Sequence, residues 1–155
     1  KPKRRKKARS PKRTLGKAHI LVVDDEADFA RMIQRSLTQS GYRVDAAISA
    51  TQAIALQRRT SYDLALVDMR MPEMTGLELL QYLKARDKRV FVMIMTAFAS
   101  FSMGIEALRR GACDYLAKPF RLETLKAKVA EGLQRRSQYL EEQRFLPQPA
   151  AEDEL

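Results

Sequence analysis

Short apolar runs alternate with amphipathic stretches five times along this 155-residue chain, and this alternation restricts the folds that are open to it. Three of the runs are almost continuously apolar, which is typical of strands buried on both faces of a parallel sheet. The predicted strands are Ile20–Val23, Arg43–Ala46, Leu64–Val67, Val90–Met95 and Tyr115–Ala117. The sequence therefore predicts an α/β domain with right-handed crossovers and helices on both faces of the sheet.

The stretches that follow the strands carry apolar residues at helical spacing. The clearest faces are Phe29, Ile33 and Leu37, then Leu77, Leu80 and Leu83, and finally Leu122, Leu125, Val129 and Leu133. Gly41 and Gly111 stand where helices should end. Gly104 lies inside the predicted fourth helix, where glycine costs about 1 kcal/mol relative to alanine. We therefore hypothesise that this helix is mobile enough to take part in a switch.

The net charge of +10 is concentrated at the N-terminus. Ten of the 29 Lys and Arg residues lie in residues 1–17, which contain no acid, whereas the other 19 balance the 19 Asp and Glu residues. We predict a disordered basic tail at 1–17, a folded domain at 18–136, and a helical extension with a linker at 137–155. The tail is interpreted as a solvated linker, with contact to nucleic-acid phosphates, an acidic partner or a nuclear-import receptor as the sharper alternatives.

The chain has one cysteine, Cys113, and one histidine, His19. These counts exclude an internal disulfide and a Cys/His zinc site, and they make serine–histidine or cysteine–histidine catalysis a poor fit. A reducing, cytoplasmic setting is the natural interpretation.

No apolar run approaches the roughly 20 residues of a membrane helix, so we predict no membrane association. Because the chain begins without Met, we expect a processed chain or a fragment of something longer.

Polar residues follow four of the five predicted strands, and ligands of open parallel sheets bind beyond the carboxyl ends of the strands. The set consists of Asp24 and Asp25 after the first strand, Asp68 after the third, Thr96 after the fourth and Lys118 after the fifth. Each residue taken singly is equally a helix cap or a turn residue. Their conjunction at one edge of the sheet favours a binding site.

The charges of this set call for a cation. Two carboxylates about 4 Å apart repel by about 4 kcal/mol at an effective dielectric near 20. Lys118 supplies one positive charge, and an all-oxygen ligand set favours Mg²⁺ or Mn²⁺ over zinc. A carboxylate is also an accepted nucleophile for phosphoryl transfer, which gives an aspartyl phosphate.

These segments resemble the receiver domain of two-component response regulators over about residues 19–136. The resemblance rests on the strand into Asp24–Asp25, on VDMRMPEMTG at 67–76, on MTA at 95–97 and on GACDYLAKPF at 111–120. It implies a flavodoxin-like (βα)5 fold, in which a doubly wound parallel sheet has five strands in the order 2-1-3-4-5. The segments at 70–72 and 115–120 look most like receivers attached to enhancer-binding ATPases, which implies a role in transcription regulation.

The resemblance also implies a role for each residue of the set. Asp68 accepts a phosphoryl group from a histidine kinase, a phosphotransfer protein or a small acyl phosphate. The implied ligands of Mg²⁺, with Mn²⁺ as a possible substitute, are Asp24, Asp25, Asp68 and the backbone carbonyl of Arg70. Thr96 and Lys118 contact the phosphoryl oxygens, and the Lys118–Pro119 peptide bond is cis. Tyr115 turns inward when Thr96 moves.

The expected function is a phosphorylation-dependent signalling switch that acts through a partner or an output domain. The surface formed by the fourth helix, fifth strand and fifth helix is the expected contact face and a possible homodimer interface. No Walker A pattern or recognisable helix-turn-helix occurs, so the output domain is expected outside this chain. The first alternative is a stand-alone or degenerate receiver that serves as a protein-interaction module. The second alternative is a Mg²⁺-dependent phosphohydrolase. Such an enzyme would need a general acid near Asp68, and Met69 and Arg70 supply no carboxylate. We therefore expect no enzymatic activity beyond self-phosphorylation and self-dephosphorylation.

Overall fold

Strands and helices alternate strictly in the computed structural model of the chain, which describes residues 17–97 and 100–147. The elements are β1 (His19–Val23), α1 (Ala27–Gln39), β2 (Arg43–Ala47), α2 (Ala50–Arg59), β3 (Leu64–Asp68), α3 (Gly76–Arg86), β4 (Phe91–Thr96), α4 (Phe101–Arg109), β5 (Asp114–Ala117) and α5 (Leu122–Phe145). All neighbouring strands are parallel, and the sheet order is β2-β1-β3-β4-β5. The predicted flavodoxin-like architecture is therefore confirmed.

The central strand β3 divides the core into two apolar layers. Every residue of β3 is buried. Its Leu64 and Leu66 belong to the layer that contains residues of α1 and α5, whereas Ala65 and Val67 belong to the layer that contains residues of α2 and α3. Successive side chains of a strand point to opposite faces, so a continuous apolar run is required wherever helices cover both faces. This burial explains why the sequence of β3 has no polar alternation.

Short polar residues fix the starts and ends of several helices. The hydroxyl groups of Ser49, Thr75 and Ser100 each accept a hydrogen bond from the backbone N–H three residues later, at the starts of α2, α3 and α4. Gly41 and Gly111 follow α1 and α4 with φ angles of 98° and 103°, the left-handed conformation that glycine adopts without a Cβ penalty. The predicted helix ends at these two glycines are confirmed.

Each predicted strand differs from the observed one by a single residue at one or both ends, and one helix-face assignment is wrong. The predicted fourth strand began at Val90, but β4 begins at Phe91, because the Val90 amide donates to the Asp87 carbonyl and its own carbonyl accepts from Lys84 Nζ at 2.9 Å. Leu122 was assigned to a buried helix face, but it is the first residue of α5 and is 37% exposed. These differences lie at element boundaries, where a periodic pattern defines the limits of an element least sharply.

The fifth helix keeps contact with the body beyond the predicted domain boundary at 136. The Arg136 guanidinium lies 3.0 Å from Asp63 Oδ1, and its Nε donates to the Arg89 carbonyl at 2.7 Å. The ring of Tyr139 lies 5.7 Å from the ring of Phe91. The helical part of the predicted extension runs to Phe145. Residues 1–16 of the predicted tail at 1–17, and the stretch 148–155, lie outside the described residues. None of the helices in the described ranges is both long and apolar enough to cross a membrane.

Candidate functional site

Three carboxylates meet at the carboxyl edge of the sheet. One carboxylate oxygen from each of Asp24, Asp25 and Asp68 lies within 4.8 Å of the others. Asp24 is fully buried and Asp68 is 8% exposed, whereas Asp25 is open to solvent. The group is therefore a half-open pocket of oxygen donors, with two buried carboxylates and one at its mouth.

Lys118 joins the two buried carboxylates. Its ammonium donates to Asp24 Oδ2 at 2.6 Å and to Asp68 Oδ1 at 3.3 Å. The same Nζ lies 4.3 Å from the centre of the Phe29 ring, a cation–π distance. Its backbone is fixed as β5 ends, because the Lys118 amide donates to the Thr96 carbonyl at 2.8 Å. The Lys118–Pro119 peptide bond is cis.

The electrostatics of this group show a deficit of positive charge. Burial and the neighbouring charge of Asp24 raise the pKa of Asp68, and the opposing attraction of Lys118 does not cancel them. Burial alone would lower the pKa of Lys118, but its contacts with Asp24 and Asp68 outweigh burial and raise it. A set of three carboxylates with one ammonium fits a divalent cation that prefers oxygen ligands, such as Mg²⁺ or Mn²⁺.

Gly76 permits the close approach of α3 to the end of β3. Its amide donates to the Met69 carbonyl at 2.8 Å. A Cβ at this position would collide with the backbone carbonyl oxygen of Asp68 and lie 2.9 Å from the Met69 Cα. Since both obstacles are backbone atoms, no side-chain rotation relieves them. The glycine therefore fixes where the backbone of Asp68 lies relative to α3.

Gly76→Ala is expected to lower the free energy of unfolding by about 1–3 kcal/mol, because an added methyl group in a close-packed site forces the backbone to shift. Urea denaturation measures the change. Gly132→Ala is the matched control, because a Cβ there would make ordinary contacts at 3.6 Å with Leu64 and Met93. Equal urea midpoints for the two variants would contradict the steric argument.

The remaining predicted site residues lie around this group. Thr96 ends β4, is buried and pairs in register with Ala117. Arg70 lies two residues after Asp68, in the exposed loop before α3. The role of its carbonyl as a metal ligand stays a prediction. Tyr115 lies on β5, partly buried, and packs against the apolar layer on the α2–α4 face.

Two contributions to the site were missed at the level of sequence. Phe29 was assigned only to the apolar face of α1. Its contact with the Lys118 ammonium joins two residues that are far apart in the chain, and periodicity does not reveal such contacts. Gly76 was used only as the last residue of the VDMRMPEMTG segment, with no structural role of its own. The glycine at the end of the VDMRMPEMTG segment was a signal for close backbone approach that could have been used.

The family model for the response regulator receiver domain matches residues 20–130. The chain belongs to the response regulator receiver family. This match includes all three carboxylates, Thr96 and Lys118, so the whole candidate site lies within the matched region.

Relatives of this receiver domain are longer proteins. The transcriptional regulatory protein ZraR of Salmonella typhimurium is 41% identical over 118 residues, which are 76% of this chain and 27% of that relative. The regulatory protein AtoC of Escherichia coli is 38% identical over 118 residues, 76% of this chain and 26% of its own length. The chain thus spans about a quarter of the length of these relatives.

A solved structure supports the same assignment. The CheY-like response regulator receiver domain of Methanospirillum hungatei has a TM-score of 0.74 and 29% sequence identity to this receiver domain. The comparison covers 78% of this chain and 97% of the solved one. The resemblance therefore extends over nearly the whole of an independently folded receiver domain.

Proposed function

We propose that Asp68 is the phosphoacceptor of this receiver domain and that Asp24, Asp25, Asp68 and the Arg70 carbonyl hold Mg²⁺ beside it. The observation that carries the proposal is the Lys118 ammonium, which bridges Asp24 and Asp68 at the carboxyl edge of the sheet. When bound, Mg²⁺ would neutralise negative charge on the phosphoryl oxygens. Its binding is supported by the oxygen-only donor set and by the raised pKa of Asp68.

The proposed reaction is a phosphoryl transfer to a carboxylate. A carboxylate oxygen of Asp68 attacks the phosphorus of a phosphohistidine or of a small acyl phosphate. The bond from phosphorus to the donor's nitrogen or oxygen breaks, its electron pair leaves with the donor, and an aspartyl phosphate remains. The Lys118 ammonium and the Thr96 hydroxyl contact the transferred oxygens and stabilise their negative charge.

The proposed outcome is a shift between two states of the domain. The aspartyl phosphate adds charge and acceptor oxygens at the edge of the sheet, which draws Thr96 toward it and gives Tyr115 room to turn inward. The face formed by α4, β5 and α5 then favours a partner-bound state, with a second copy of this domain as one candidate partner. Control of transcription is the proposed output, since relatives carry the name of transcriptional regulatory proteins. The phosphodonor would be a histidine kinase or a phosphotransfer protein of the same cytoplasmic compartment.

The test is phosphorylation in the absence of any kinase. The protein is incubated with acetyl phosphate and MgCl₂ and weighed intact, and a parallel sample contains excess EDTA. We expect a gain of one phosphoryl group, located at Asp68 by peptide mapping, and little gain with EDTA. No gain, or a phosphoryl group on another residue, would reject Asp68 as the acceptor. An equal gain with EDTA would reject the metal requirement alone.

A further inference from the structure

The ring of Tyr115 occupies the space that a side chain at position 104 would need. A Cβ built on Gly104 would lie 2.7 Å from Cε1, 2.9 Å from Cζ and 3.2 Å from Cδ1 of Tyr115. Distances below 3.0 Å are too short for carbon atoms in contact, which require about 3.5–4.0 Å. The Tyr115 ring thus gives a steric reason for a glycine at this position of α4. The helical pattern of the sequence does not reveal this reason.

The ring lies between α4 and the sheet face that also carries Thr96. Tyr115 pairs in register with Ile94, and Thr96 pairs with Ala117, two residues further along each strand. Residues two apart on a strand share a face, so the side chains of Tyr115 and Thr96 point to the same side of the sheet. The ring therefore lies beside the backbone of α4, on the face of the sheet that also carries Thr96.

We propose that Gly104 is a positioning residue that seats the Tyr115 ring against α4, and that this seat is one of two ring positions exchanged when Asp68 is phosphorylated. The second half of the inference rests on the proposed function, whereas the seat itself does not. A side chain at position 104 would fill the seat. The ring would then be confined to the other position, and phosphorylation would have no ring movement to drive.

The chain offers a matched control for the effect of glycine in a helix. Gly132 lies inside α5 as Gly104 lies inside α4. A Cβ at Gly132 would meet its nearest neighbours only at 3.6 Å, which is ordinary contact. Gly132→Ala therefore reports the gain in helix propensity without a steric clash, and it is expected to lower the unfolding equilibrium constant about fivefold.

The seat is tested first by a double-mutant cycle in urea, without phosphorylation. Gly104→Ala is introduced into the wild type and into Tyr115→Ala, which has no ring to displace. In the Tyr115→Ala background we expect the same fivefold stabilisation as for Gly132→Ala. In the wild-type background, the ratio of the unfolding equilibrium constants with and without Gly104→Ala should be at least fivefold higher than in the Tyr115→Ala background, because the ring must move. Equal effects in both backgrounds would overturn the seat.

The second test follows the ring directly. 3-Fluorotyrosine is incorporated at position 115 alone, and its ¹⁹F resonance is recorded before and after treatment with acetyl phosphate and MgCl₂. Gly104→Ala should displace the resonance of the untreated protein, while Gly132→Ala should leave it in place. Treatment should move the wild-type resonance but not that of Gly104→Ala, in samples whose intact mass proves phosphorylation.

The possible failures are distinguishable. An untreated Gly104→Ala resonance at the wild-type position would overturn the seat. A treatment-dependent movement in Gly104→Ala equal to that of the wild type would overturn its role in the switch, as would a phosphorylated wild type whose resonance does not move. If the wild type gains no phosphoryl group at all, the proposed function fails, whereas the urea cycle still decides whether Gly104 seats the ring.

Discussion

Asp68→Asn is expected to abolish the gain of a phosphoryl group from acetyl phosphate completely, and at the same time to stabilise the metal-free domain at neutral pH. The first effect follows because an amide oxygen is too weak a nucleophile to replace the carboxylate. The second follows because Asp68 is held beside the buried Asp24, and the Lys118 ammonium is shared between the two carboxylates. Two carboxylates about 4 Å apart repel by about 4 kcal/mol at an effective dielectric near 20. Since Lys118 offsets most of this repulsion, we expect a net gain of about 1 kcal/mol.

The stabilisation by Asp68→Asn should depend on pH in a definite direction. The pKa of Asp68 is raised in the folded domain by burial and by Asp24, so the folded state favours its neutral form. In the wild type this group therefore contributes most to the free energy of unfolding at acidic pH, and the contribution is lost as the pH rises through the raised pKa. The difference between Asp68→Asn and the wild type should be largest at pH 7 and should shrink on acidification. Urea denaturation without metal, at a series of pH values, measures it.

Asp87→Asn serves as the matched control for the loss of phosphorylation. Asp87 follows α3 and precedes β4, at the opposite end of the sheet from the candidate site. This variant should gain a phosphoryl group as the wild type does. Phosphorylation of Asp68→Asn to the wild-type level would refute the acceptor, and a metal-free Asp68→Asn that is less stable than the wild type at pH 7 would refute the charge argument.

The meeting of Asp24 with Asp68 could be predicted because it depends only on the order and direction of the strands. Adjacent parallel strands end at the same edge, and β1 pairs with β3 so that Val23 lies opposite Val67, one residue before each aspartate. Continuous apolar runs identified both strands as central. The order of the five strands came from the resemblance of whole segments to a known family, since periodicity alone leaves it open.

Contacts that depend on the reach of individual side chains could not be predicted. The Asp45 carboxylate accepts from Tyr62 at 2.6 Å and lies 2.9 Å from His19 Nε2, at the end of the sheet away from the candidate site. No motif signals this group, since its members are 17 and 26 residues apart in the chain. Gly104 was noticed only as a weak point of a helix, because the ring that requires it is brought by another element. Strand ends are a property of the backbone, whereas these contacts are a property of packing.

Lys118→Met should lower the free energy of unfolding of the metal-free domain by about 3–5 kcal/mol at pH 7, the usual cost of removing one partner of a buried ion pair. Asp24 is fully buried and has the Lys118 ammonium at 2.6 Å, and the Lys118 side chain is itself only 17% exposed. Methionine fills a similar volume without charge, so the loss reflects the carboxylates left without a counter-charge rather than a cavity. Urea denaturation in the presence of EDTA measures this effect.

Two conditions should restore part of the stability lost in Lys118→Met, and both follow from the same charge deficit. Acidification should narrow the gap to the wild type, because Asp68, whose pKa is already raised by burial and by Asp24, takes up a proton when Lys118 is absent. Addition of MgCl₂ should stabilise Lys118→Met more than the wild type, since a cation stabilises the folded state according to its affinity and the competing ammonium is gone. Lys128→Met is the control, because it breaks a more exposed pair with Asp114 at 3.0 Å and should cost no more than about 1 kcal/mol. If the two lysine variants lose equal stability, or if MgCl₂ does not favour Lys118→Met, then Lys118 is not the cation on which the buried carboxylates depend.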